Sequence, residues 1–172
     1  KEDGKTTYRP IPRDRDQAYV KFDGFYPFIA THMIGATKLE SFDGDIDNVG
    51  NMNYPAWPLD TRFLNKLARQ QWIDIAKDLQ YALSDSVINY AIHQLPPELF
   101  AINGETIIRQ LQSRRDKLEK YAVSYYEFLA KKVMIMGTDK NELFEVNRIN
   151  ERETQISVYK ISKEKEVKEM IY

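Results

Sequence analysis

The chain has 172 residues, is 42% hydrophobic and 30% charged, and carries 25 Lys and Arg against 26 Asp and Glu for a net charge of −1. It contains no cysteine and two histidines, which excludes disulfides, thiolate zinc sites, iron–sulfur clusters, a cysteine nucleophile and a His-rich metal site. That composition fits a globular domain of ordinary size, and the balanced charge speaks against a dedicated nucleic-acid binder.

In chain order, the first third is rich in Pro, Gly, Asp and Asn. Its best strand candidate is residues 16–22, with Ala18, Val20 and Phe22 alternating onto one face. A short helix is expected around residues 26–33, with Pro27 tolerated in its first turn. The middle third predicts three helices. Asp60 caps the first, whose stripe is Leu64, Leu67, Trp72, Ile75, Ala76, Leu79 and Leu83. Ser84-Asp85 starts the second, carrying Val87, Ile88, Ala91, Ile92 and Leu95, and Pro96-Pro97 ends it. Asn103 caps a long third helix reaching about Lys132, with Ile107, Ile108, Leu111, Leu118, Tyr121, Ala122, Tyr125 and Leu129 on its buried stripe.

The last third switches to period two. Residues 133–136, 142–146 and 156–161 read as strands, with turns at 137–140 and 150–153, which predicts a small meander. Residues 167–172 supply a fourth strand, and the charged stretch 163–168 reads as a solvated connection. The fold class expected is therefore α+β: an irregular N-terminal segment, a mainly helical middle of three helices, and a C-terminal antiparallel β-meander. The implied division is 1–132 and 133–172.

No signal peptide is visible, and the uncharged stretch 24–37, broken by Pro27, is too short to span a bilayer. The chain opens on Lys1 rather than Met and reads as a piece of a longer protein, so a missing targeting signal says nothing about the parent. Charge is unevenly placed: residues 1–60 hold 10 acidic against 7 basic groups, while residues 61–132 hold 8 against 11.

Chemistry is best sought in the acidic first third. Pro10 and Pro12 stiffen an extended approach to Asp14 and Asp16, which then share one face while Arg13 and Arg15 take the other. Two carboxylates about 6–7 Å apart along a strand can share a divalent cation such as Mg²⁺. The competing reading is an alternating-charge edge strand paired with its neighbours. A second candidate is Asp43-Gly-Asp-Ile-Asp47, whose Asp43, Asp45 and Asp47 occupy the first three ligand positions of an EF-hand-type loop. Asn48 replaces the sixth-position glycine and Tyr54 stands where a bidentate Glu belongs, so a turn-rich loop competes strongly.

Weaker signals complete the inventory. Arg114 and Arg115 form a solvated helix face or an anion contact. His32 and His93 read as packed or surface histidines. Tyr121, Tyr125 and Tyr126 read as core and rim of a helical seam, and Tyr54-Pro-Ala-Trp-Pro58 as a rigid aromatic loop packing internally.

The run Arg9-Pro-Ile-Pro-Arg-Asp-Arg-Asp-Gln-Ala-Tyr-Val-Lys-Phe-Asp-Gly24 resembles a segment of large outer-membrane proteins of Gram-negative bacteria. In that family a calcineurin-like metallophosphoesterase domain comes first and a surface-antigen β-barrel last. Residues 59–64, 112–118 and 137–146 resemble the same family. The resemblance implies a domain lying between those two, with adjacent domains of the parent chain as its partners and a periplasmic or outer-membrane location. The order of Pro12-x-Asp14-x-Asp16, a helix opening near Leu59-Asp60 and a later Arg114-Arg115 is also similar to the C-terminal lobe of CotH-like kinases. That similarity implies Mg²⁺ or Mn²⁺ held by Asp14 and Asp16 against nucleotide phosphates. The chain carries no Gly-rich phosphate loop and no catalytic loop upstream of Asp14, so it is not expected to phosphorylate anything alone. Two functions follow: a non-catalytic structural or interaction domain of a cell-envelope protein, or the metal-binding part of an incomplete phosphotransferase lobe.

Overall fold

A computed structural model of the chain describes residues 18–22, 25, 26, 29, 41–162 and 167–170. The architecture is α+β, a set of packed helices followed by an antiparallel meander. Asn48 caps the first short helix, α1 (Val49–Met52), by accepting the Asn51 N–H at 2.9 Å. A 3₁₀ turn (Tyr54–Ala56) leads into α2 (Trp57–Phe63), and Pro58 sits in its first turn, where its missing N–H leaves no bond unmade. The helix therefore begins three residues before Asp60, which lies in the first turn rather than capping it. The Thr61 hydroxyl bonds back to the Trp57 carbonyl at 2.8 Å.

Leu64 and Leu67 fall in the connection after α2, and α3 (Arg69–Ala82) starts afresh with the Gln71 side chain accepting the Ala68 N–H at 2.8 Å. Its inward face is Trp72, Ile73 and Ala76, while Ile75 and Leu79 of the expected stripe are exposed. The start of α4 (Asp85–Ile92) is as expected: the Ser84 hydroxyl accepts the Val87 N–H at 3.4 Å. That helix stops before Pro96-Pro97, and Pro97 opens the next turn, α5 (Pro97–Leu99), with a π-turn (Phe100–Gly104) behind it.

The long third helix is two helices, α6 (Glu105–Asp116) and α7 (Leu118–Ala130). Asn103 lies inside the π-turn rather than at a cap. Between the two helices Lys117 leaves helical geometry at φ −104, ψ 4. Gln80 of α3 occupies the carbonyls freed there, donating to Arg115 O at 2.8 Å and Asp116 O at 3.2 Å. A tertiary side chain thus replaces the helical bonds that a continuous helix would make.

Two buried clusters hold the helices together. Val49, Tyr121, Tyr125 and Leu129 form one, with Ile46, Trp57, Leu64, Trp72 and Phe128 packed around them. This is α7 gripped by α1, α2 and α3. Ile88, Ile92 and Ile108 form the other, joining α4 to α6, with Leu95, Phe100, Ile107 and Leu111 at its rim.

Strands β1 (Glu142–Arg148), β2 (Thr154–Ile161) and β3 (Val167–Met170) form an antiparallel sheet in sequence order. Phe144 pairs with Val158 and Val146 with Ile156, and the β2–β3 register slips between Lys160 and Ile161. Asn150 fixes the β1–β2 turn, its side-chain oxygen accepting Arg152 N at 2.8 Å and Glu153 N at 3.0 Å. Residues 133–136 are not a strand; the chain there is tethered by Asn65, whose amide donates to Met134 O at 2.6 Å. Residues 18–22 are not a strand either. Tyr19 turns the chain with φ 63, and its ring meets Phe42 edge-on at 4.9 Å. Most of the helix expected over 26–33 lies outside the described residues.

Candidate functional site: an acidic loop pinned to a helix junction

Residues 41–47 run along the face of α6 and over its junction with α7. The helix side presents polar groups at helical spacing, Gln110, Ser113, Arg114, Lys117 and Tyr121, and these meet the loop in turn. Gln110 donates to Phe42 O at 3.3 Å, Arg114 to Asp43 O at 2.6 Å, Ser113 to Gly44 O at 2.7 Å, and Lys117 to Gly44 O at 3.2 Å. The Arg114 guanidinium also reaches Asp45 O at 3.3 Å and lies 4.1 Å from the Phe42 ring centroid. Gly44 lets the loop come this close, since a Cβ there would stand 3.3 Å from both Cβ and Oγ of Ser113.

Asp45 is the centre of the arrangement. Its carboxylate takes Lys117 Nζ at 2.8 Å, the Tyr121 hydroxyl, and its neighbour Ile46 N at 2.8 Å. The hydrogen bonds from Lys117 and then Tyr121 hold the Asp45 carboxyl well below the usual carboxylate range. Tyr121 is pushed up to about 12, first by burial and then by its bond to Asp45. The same hydroxyl also meets Ile46 N at 3.1 Å, which ties the core cluster directly to the loop. One helical turn further on, the Tyr125 hydroxyl bonds the Asp60 carboxylate of α2. Burial followed by that bond drives its pKa up as well.

The EF-hand arrangement does not form around Asp43, Asp45 and Asp47. Asp43 accepts the Asp45 N–H at 2.8 Å, closing a local turn, while Asp45 faces Lys117 and Asp47 points to solvent. Asn48, at the place of the sixth-position glycine, caps α1 and leads the chain into a helix where a cage would have to continue. Among the described residues no three acidic or histidine side chains stand close enough to hold one ion. Asp14 and Asp16 lie outside the described residues.

Arg114 and Arg115 point in different directions rather than forming one patch. Arg114 grips the loop. Arg115 donates to Leu83 O at 3.1 Å and pairs with Asp85 at 2.5 Å and Asp116 at 2.9 Å, so it bolts α6 to the start of α4. The bonds to Asp85 and Asp116 raise its pKa. His93 bonds Asn89 O at 2.7 Å through Nδ1 and lies against Phe100, closing α4. Tyr54 stacks on Trp57 at 6.2 Å, and Trp57 packs against the buried core, but Tyr54, Pro55, Ala56 and Pro58 are exposed, so only Trp57 of the 54–58 segment packs internally as expected. The loop-binding roles of Gln110, Ser113 and Lys117 had one sequence signal, a polar stripe at helical spacing beside the apolar one.

No family model, no curated protein and no solved structure matches this chain. No helix among the described residues is long and apolar enough to cross a membrane.

Proposed function

We propose that the chain is a non-catalytic structural or interaction domain of a larger cell-envelope protein, working between neighbouring domains of its parent. The observation that carries this reading is the use made of the acidic loop. Asp43, Asp45, Arg114, Arg115 and Lys117 are the polar groups that substrate chemistry would need free, and each is engaged in holding the fold. The depression lined by Glu119, Lys120, Val123, Ser124 and Glu127 lies along the outer face of α7 alone, with no second element among the described residues closing over it. The periplasmic or outer-membrane setting rests on the sequence resemblance alone.

The rival reading places Mg²⁺ or Mn²⁺ on Asp14 and Asp16. Calorimetric titration of either ion into the chain, with and without ATP, separates the two. The structural reading expects no saturable heat. Saturable heat that Asp14→Ala or Asp16→Ala abolishes would overturn it in favour of the phosphotransferase-like lobe.

A further inference from the structure

The ladder geometry exposes one whole hydrogen-bonding edge. Ile161 N donates to Asn141 O and Ile149 N to Glu153 O, which makes the odd-numbered residues of β1 the ones bonded to β2. Glu142, Phe144, Val146 and Arg148 therefore turn their N–H and C=O groups outward, because β1 is the edge of the sheet. Their side chains share one sheet face. Phe144 is 45% exposed and Val146 65% exposed, and no other strand among the described residues pairs with that edge. It carries no lysine, proline or bulge, and its one central charge is Glu145.

We infer that β1 pairs with β1 of a second copy of this chain, antiparallel about a two-fold axis at Glu145. Only even residues can bond outward, and this register places the most of them in pairs. It sets Glu142 opposite Arg148 of the second copy and Phe144 opposite Val146, each twice by symmetry. Four such pairs give about eight backbone hydrogen bonds and continue the two meanders as one six-stranded sheet. Shifting the register by two residues in either direction breaks the charge match and puts Glu142 against Val146 or Phe144 against Arg148. Neither Glu142 nor Arg148 has an oppositely charged partner among the described residues. Glu142 holds Thr138, and Arg148 holds Thr154 and the Glu151 carbonyl, which leaves each with capacity for the other. The net charge of −1 adds little repulsion between copies. On the opposite face the axis brings Glu145 against its own copy, a like-charge contact that weakens the pair.

This inference deepens the interaction reading by naming one surface, and it can fail while that reading stands, since docking of neighbouring domains does not need the β1 edge. The test uses the chain's lack of cysteine. In the proposed pairing Glu145 is a non-hydrogen-bonded pair with Cα atoms about 4.5 Å apart, within disulfide range. Glu145→Cys should form a disulfide-linked dimer under oxidised glutathione, and Leu143→Cys, displaced from the axis, should not. Sedimentation equilibrium should show a concentration-dependent dimer that Glu145→Gln tightens and that Val146→Lys weakens by about tenfold or more. Val146→Pro should do the same, since its outward N–H serves no bond within the chain, with circular dichroism reporting the fold retained. A chain that stays monomeric, a dimer indifferent to both Val146 variants, or equal cross-linking at positions 143 and 145 would each overturn the inference.

Discussion

Gly50 offers the sharpest test of how the helices are packed. A Cβ at that position would stand 2.6 Å from Cδ2, 2.9 Å from Cγ and 3.0 Å from Cε2 of Phe128. The obstacle is the body of a ring rather than a movable tip. That ring stacks on Tyr125 with 5.9 Å between centroids, and Tyr125 is itself held by Asp60, so retreat on that side is resisted. Two effects oppose each other in Gly50→Ala. Reduced freedom of the unfolded chain favours alanine by about 0.4–1 kcal/mol. Overpacking against the ring costs about 1–3 kcal/mol. The second wins, and the net loss should be about 1–2 kcal/mol. In urea, with a slope of about 1–3 kcal/mol per molar, the unfolding midpoint should fall by roughly 0.5–1 M. Adding Phe128→Leu should recover part of the loss, giving a coupling energy above about 0.5 kcal/mol. An unchanged or raised midpoint in Gly50→Ala would refute the close approach of α1 to α7.

Three further outcomes follow from the polar network. Arg115→Ala should cost about 1–2 kcal/mol, through the unpaired Leu83 carbonyl and the lost packing of its stem, whereas Asp85→Ala, removing only the exposed half of that pair, should cost about 0.5 kcal/mol; chemical denaturation of both variants decides whether the carbonyl or the ion pair matters. Asp45 has a depressed pKa in the folded chain, so its contribution is present above the ordinary carboxylate value of 3.8 and drains away as pH falls below it. Lys117→Met should flatten that acid limb in a series of thermal melts, and an unchanged pH slope would argue against the Asp45–Lys117 bond. Tyr121 and Tyr125 have raised pKa values, so their contribution is intact below about 10, where an unfolded tyrosine titrates, and is lost as pH rises further. Absorbance titration should show these two phenols ionising last, together with alkaline unfolding, and Tyr125→Phe should lower the pH at which that phase starts to involve the fold.

The helices were legible where local chemistry decides them. Ser84 at a cap, the Pro96-Pro97 stop and the Ile88–Ile92–Ile108 seam need only spacing and capping rules, and the period-two stretches 142–146 and 156–161 became β1 and β2. The split of α6 from α7 was hidden because its cause, Gln80 of another helix bonding the carbonyls of Arg115 and Asp116, has no local signature. Residues 133–136 carry strand-like composition yet follow an Asn65 tether instead of a ladder, which shows tertiary context overriding propensity. For the acidic loop the residue types were the right ones to notice, but their role was invisible without the stripe that receives them. Asp43, Asp45 and Asp47 look like ligands in one dimension. In three, Asp45 is a counter-charge for Lys117 and the first carbonyls of the loop are acceptors for Arg114 and Ser113.

The pins between the loop and the helix junction join positions far apart along the chain, 71 residues for Arg114 and Asp43, 72 for Lys117 and Asp45, and 76 for Tyr121 and Asp45. Tension entering the folded region from the N-terminal side and leaving through α7 therefore has a short route. It can cross from loop to junction through these bonds without passing along α1 to α6. Those helices are then sheltered from a pull applied between these two points until the pins give way, and the length of chain they hold becomes slack released in one step rather than a series of gradual extensions.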